Sequence, residues 1–174
     1  MSASTQSLAS KSNADVRVCH KVLTVQAKFE RYTGDLEKIL GRFASDAMRD
    51  VVDKPELTQR RLEAMAGAEG LMILWAFNHG AALNIVGAPR KAHQYLIGNP
   101  LTAIQMSRHE LRAALYAPLR VLVYEDAQGR TIIEYDQPSS LFGQFGNPEL
   151  TAVAQSLDGK LQRALEQAAK LASE

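Results

Sequence analysis

Apolar and polar positions alternate early in the chain: Leu23, Val25, Ala27 and Phe29 are separated by Thr24, Gln26 and Lys28. Alternation buries one face of an extended chain, so it predicts a first strand over Val22 to Phe29. The period then changes. Leu36, Ile39, Leu40, Phe43, Ala44 and Ala47 recur at spacings of three and four, one stripe of a helix, with Thr33 placed to cap it. Asp53 stands three residues before Glu56 with Pro55 between them, a helix-start signature that predicts a short second helix over about Pro55 to Met65. Leu71 to Phe77 is an unbroken apolar run behind Gly70, read as a central strand that Asn78-His79-Gly80 ends.

Ala88-Pro89 marks a turn, and His93 to Ile97 reads as a third strand halted by Gly98-Asn99-Pro100. Leu101 to Leu115 is mostly compatible with helix. Leu119 to Tyr124 and Arg130 to Tyr135 are β-rich runs joined by Asp126 to Gly129, a hairpin. Pro138 to Gly146 reads as a loop. Asn147 then caps a last helix, with Pro148 at its first position and Glu149 at the positive end of its dipole. Its apolar stripe runs from Leu150 through Leu157 and Leu161 to Leu171.

This order predicts an α+β fold, β-α-β(4)-α, with a mostly antiparallel sheet and helices packed on one face. The other face is then open or closed by a second copy, and a homodimer is expected. Residues 1–14 are small and polar and cannot bury enough area to offset the entropy of ordering, so they read as a disordered tail. Residues 15–174 read as one domain, a size at which a self-sufficient core is expected.

Composition narrows the function classes. A net charge of +1 gives no overall field toward nucleic acid or an anionic membrane. The basic pairs Arg60-Arg61 and Arg90-Lys91 are short enough to be ordinary solvated surface. No apolar run approaches membrane-spanning length, so neither a nucleic-acid nor a membrane partner is expected. The single cysteine, Cys19, allows no intrachain disulfide, which fits a reducing, cytoplasmic setting.

Several short pieces are more specific in combination than alone: Phe77-Asn78-His79-Gly80, Tyr95-Leu96-Ile97-Gly98-Asn99-Pro100, Pro118-Leu119-Arg120-Val121-Leu122-Val123-Tyr124-Glu125, and Tyr135-Asp136-Gln137-Pro138. In this order and spacing, over roughly Val22 to Leu165, the chain resembles domain-of-unknown-function family 302. The resemblance implies a small β-α-β(4)-α domain that often dimerises, and it implies no reaction. The chain departs from the commoner family pattern in a longer link, Asp46 to Ala68, between first helix and second strand.

No phosphate-binding glycine loop, G-x-S-x-G elbow, H-E-x-x-H or paired-cysteine site is present in the sequence. Weaker candidates remain. His79 follows an apolar strand and precedes a glycine, where imidazole can face a cleft or cap the strand end. Asn99 offers donor and acceptor together at a strand end, as turn former or ligand contact. Asp136 and Ser139 lie after the hairpin and Tyr116 before it. Together these five, His79, Asn99, Tyr116, Asp136 and Ser139, are the candidate ligand-binding residues. A hydrolytic trio of Ser139 or Ser140, His79 and Asp136 has the balance of chance coincidence. His93 and Tyr95 share a strand face. A metal site of Cys19, His20, His79 and His93 would require all four to converge, and no metal or other cofactor is assigned. The function expected is a small-molecule-binding domain, with or without catalysis, holding a pocket near the strand ends. The alternative is a non-catalytic homodimeric interaction module.

Overall fold

The structure, a computed structural model, describes residues 12–174. Most of the predicted N-terminal tail lies outside the described residues. The chain enters strand β1 at His20–Val25, a shorter strand than the alternation suggested. Phe29 belongs instead to helix α1, Phe29–Ile39. Thr33 sits inside α1 rather than at its cap, and its hydroxyl donates to the Phe29 carbonyl at 3.0 Å. The alternation misled because Phe29, Tyr32 and Leu36 form a helical stripe whose first member also fits an extended period.

Helix α1 stops where the backbone must pass another segment at close range. A Cβ on Gly41 would stand 1.7 Å from the Met65 carbonyl oxygen, and one on Gly67 would stand 2.3 Å from the Gly41 nitrogen. Only glycine fits at this crossing. The chain continues as a two-residue strand β2, Gly41–Arg42, so Phe43, Ala44 and Ala47 do not extend the α1 stripe. Helix α2, Pro55–Met65, fills the long link with proline in its first turn, as its sequence predicts.

Strands β3 (Met72–Asn78), β4 (Ala92–Gly98), β5 (Leu119–Glu125) and β6 (Thr131–Asp136) complete one six-stranded sheet in the order β1-β6-β5-β4-β3-β2. Every pairing is antiparallel except β2 with β3. Gly129 supplies the positive φ in the β5–β6 turn. Strand β3 is not central: only two residues of β2 flank it, and a register shift between Ile73 and Trp75 turns Trp75 and Phe77 onto the face opposite the core. Trp75 is 49% and Phe77 40% exposed. The continuous apolar run, the mark of a central, buried strand, is thus half open here.

Short helices α3 (His79–Ala82), α4 (Pro100–Ser107) and α5 (Pro138–Phe142) follow β3, β4 and β6. The segment read as a loop after the hairpin therefore begins as a helix. Asp158 holds it: its carboxylate accepts from the Ser139 N–H and the Gln137 side-chain amide, both at 2.8 Å. The last helix, α6, runs Pro148–Ser173, with the Asn147 side-chain oxygen accepting from the Leu150 N–H. Leu150, Leu157, Leu161 and Leu165 of α6 interleave with Tyr32 and Leu36 of α1 over Val121, Ile133, Tyr95 and Ile97 of the sheet. No helix among the described residues is long and apolar enough to cross a membrane.

Candidate functional site

Strand β5 runs antiparallel to both β4 and β6, so the C-terminal ends of β4 and β6 lie at the same end of the sheet. Asn99, Tyr116, Asp136 and Ser139 gather there. His79 does not. The register pairs Met72 with Gly98 and Asn78 with His93, which places His79 about 20 Å from Asn99, at roughly 3.3 Å per strand residue.

The β4 end holds an apolar cavity of about 240 Å³ under α4, α5 and α6, walled by Leu74, Ile97, Met106, Pro118, Phe142 and Leu157. Asn99 lies on its rim and is committed on both sides. Its side-chain oxygen accepts from the Leu101 N–H at 2.8 Å, capping α4, while its amide donates to the Gly70 carbonyl at 2.8 Å. Ser107, also on the rim, donates to the Ala103 carbonyl. Tyr116 stands one layer back, its ring 6.3 Å from that of Phe142 and 6.1 Å from that of Phe145. Ahead of it, the Arg112 guanidinium bonds Glu110 twice and the Arg112 backbone N–H a third time, which pulls that carboxyl down to about 2 and anchors the turn that precedes β5.

The remaining candidates serve the frame. Ser139 accepts from the Gln137 amide through its hydroxyl and donates its N–H to Asp158. Asp136 takes one ring nitrogen of His20 at 2.9 Å, and Glu134 takes the other at 3.0 Å. The hydrogen bond to Asp136, then that to Glu134, raises the His20 pKa from its ordinary value. His79 is exposed at the start of α3, with its ring edge-on to Phe77 at 4.8 Å and its Nε2 3.4 Å from the Gln94 side-chain oxygen. The capping role belongs to its neighbour: the Asn78 side-chain oxygen accepts from the Ala81 N–H at 2.7 Å. Neither the trio of Ser139 or Ser140 with His79 and Asp136 nor the quartet of Cys19, His20, His79 and His93 is assembled. No group of three or more His, Cys, Asp or Glu side chains suited to a metal ion occurs among the described residues.

His93 proves more connected than His79. It lies on the helix-covered face beside Tyr95, which in turn reaches Glu37 on α1. Strand alternation puts His93 and Tyr95 on one face, but Glu37 is 58 residues from Tyr95 and nothing in its own neighbourhood marks it.

The model of the family described as domain of unknown function DUF302 matches residues 49–168, from just before α2 into the last turns of α6. No curated protein matches the chain. Among solved structures, the chain is similar to an uncharacterized conserved DUF302 protein from Bacillus stearothermophilus, with 19% identity and a TM-score of 0.62 over 86% of this chain and 97% of that one. At that identity the likeness speaks for the fold alone, whereas the family match covers well over half of the sequence. The chain belongs to the DUF302 family.

Proposed function

We propose that this protein is a small-molecule-binding domain whose site is the apolar cavity at the C-terminal end of β4. One observation carries the reading: a cavity of about 240 Å³ with apolar walls and Asn99 on its rim. Ligand sites are typically apolar hollows of about 300–1,000 Å³ with a few placed polar groups, so this one suits a small ligand. The rim groups Asn99 and Ser107 already have partners within the protein. That favours binding over chemistry and a ligand that is mostly apolar. A cytoplasmic location fits the single cysteine.

Native mass spectrometry of protein purified without ligand exchange tests this directly, alongside thermal melts with indole or octanoate as probes. A retained small molecule, or a probe-induced rise in Tm that Ala103→Phe abolishes by filling the cavity, supports the reading. A protein with nothing bound and no response to either probe overturns it.

The exposed stack of Trp75 on Phe77, with ring centroids 5.4 Å apart, favours a second reading, a non-catalytic homodimeric interaction module. The open face of the sheet would then be its contact surface.

A further inference from the structure

At the opposite end of β4 a cleft of about 460 Å³, lined by more polar than apolar residues, lies between α1 and the segment from α3 into β4. His93 and Asn78 are cross-strand partners, so their side chains leave the same face of the sheet, toward α1. Phe29 meets the His93 ring edge-on, at 5.1 Å and 80°. On the inner side, His93 Nδ1 lies 3.2 Å from the Tyr95 hydroxyl. That hydroxyl donates to Glu37 Oε1 at 2.9 Å, and Glu37 Oε2 accepts from the Arg42 guanidinium at 2.6 Å.

The directions of these bonds assign the histidine tautomer. Tyr95 is fully buried; burial first, and the bond to Glu37 second, push its phenol up from the ordinary value, so the oxygen keeps its proton. That one proton goes to Glu37. Only lone pairs are left for His93, so Nδ1 is the donor. In the neutral ring, Nε2 is then a bare acceptor on the far side, and it has no protein partner among the described residues. Phenylalanine at position 95 would fill the same space without a buried hydroxyl to satisfy. The chain instead holds a base, an orienting group and an anchoring carboxylate in series, the order by which bases are aimed in acid–base sites.

The other cleft groups define what the imidazole faces. Lys91 is held between Glu30 at 3.0 Å and Glu125 at 2.8 Å. Arg90, also at the cleft, is exposed and makes no ion pair among the described residues. Its carbonyl oxygen packs directly against Gly80, where a Cβ would stand 1.9 Å away. A bare acceptor and a free guanidinium together call for a ligand with both a proton donor and an anionic group. Guanidinium matches a carboxylate through two parallel hydrogen bonds. The second charge of a phosphate would be opposed by Glu30 and Glu37, which line the same cleft.

We propose that this cleft binds a small hydroxy carboxylate, whose hydroxyl donates to His93 Nε2 and whose carboxylate pairs with Arg90. Tyr95 and Glu37 are positioning residues: they hold the imidazole in one tautomer. The site is separate from the apolar cavity, and neither depends on the other.

Nitrogen-15 NMR of the imidazole rings, combined with carbethoxylation of the four histidines followed by mass spectrometry, tests the proposal with glycolate as probe and acetate as the control that lacks the hydroxyl. The neutral His93 ring is expected to carry its proton on Nδ1, and Tyr95→Phe to release that preference. Glycolate is expected to slow modification of His93 severalfold, acetate to leave it unchanged, and His79 and His109 to be indifferent to both. Arg90→Ala, on an exposed side chain, is expected to abolish the glycolate protection while leaving the tautomer intact. This variant carries the test should Tyr95→Phe not fold. A His93 ring protonated on Nε2, protection by acetate equal to that by glycolate, or protection that persists in Arg90→Ala would each overturn the proposal.

Discussion

Asn99 joins two segments that are distant in sequence, capping α4 with its oxygen and holding the Gly70 carbonyl with its amide. Asn99→Ala removes the cap and leaves a half-buried acceptor unpaired. The expected loss is about 2–4 kcal/mol in denaturant melts, from the usual ranges for a cap and for an unsatisfied group. Asn99→Ser keeps a capping oxygen and should recover only the first share; a loss below about 0.5 kcal/mol in the alanine variant would refute the dual role. His20 makes a different kind of contact, lying between two carboxylates on the edge strand. Both ring nitrogens face acceptors, so the bridge needs the charged ring. Its folded pKa is raised above the ordinary value of 6.5. The stabilisation is therefore complete below about pH 6.5 and disappears as pH climbs through the raised value. At the acid end Glu134, whose pKa is lowered by Tyr124 first and His20 second, loses its share as pH falls from its ordinary 4.5 through the folded value. His20→Gln should melt below wild type at pH 6 and coincide with it at pH 9. A gap that persists at pH 9 would assign His20 a role other than charge. By NMR, Asp136→Asn should bring the His20 titration back toward 6.5.

At the scale of elements, the patterns that depend on neighbours in sequence were readable and those that depend on distant backbone were not. The hairpin, β4, α2 and α6 follow from a turn glycine, a short run stopped by Gly98-Asn99-Pro100, a proline start and an asparagine cap, each acting within a few residues. Strand β2 could not be read, because two residues carry no period and become a strand only through Gly41 and Phe43 N–H groups donating to Leu71 and Ile73 of the neighbouring segment. Helix α5 depends likewise on Asp158, about 20 residues on. The candidate site divides the same way. Asn99 was visible as a strand-end turn former, and His93 with Tyr95 as a same-face pair, but Glu37 completes the relay only after α1 docks on the sheet. The glycine crossing gives the sharpest test at this scale. Gly41→Ala drives a methyl group into the Met65 carbonyl, where backbone rather than a flexible side chain must move. A loss of at least about 1–3 kcal/mol is expected, the usual cost of overpacking. A variant as stable as wild type would mean that the α1–β2 and α2–β3 connections are not packed as described.

The molecule as a whole is asymmetric: α1 and α6 cover one face of the sheet and leave the other with Trp75, Phe77, Leu96 and Leu122 toward the outside. Five full-length strands at about 4.8 Å spacing, each about 20 Å long, span roughly 500 Å². A standard interface takes about 800 Å² from each partner, so the sheet face alone is too small. The turn after α3 adds exposed apolar surface, with Ile85 89% and Val86 72% exposed and Leu83 beside Leu122 and Tyr124 at the margin of the same face. A second copy laid face to face would bury both patches, and a two-fold axis would let each copy's turn cover the other's stack. Sedimentation velocity at tens of micromolar should therefore show a dimer. Trp75→Glu with Phe77→Glu should give a folded monomer, because both side chains are already outside the core. Ile85→Ser with Val86→Ser should weaken association without abolishing it. A wild-type monomer at these concentrations would remove the interaction-module reading. It would leave the cavity and the cleft untouched, since both lie between the sheet and its helices or at its ends rather than on the open face.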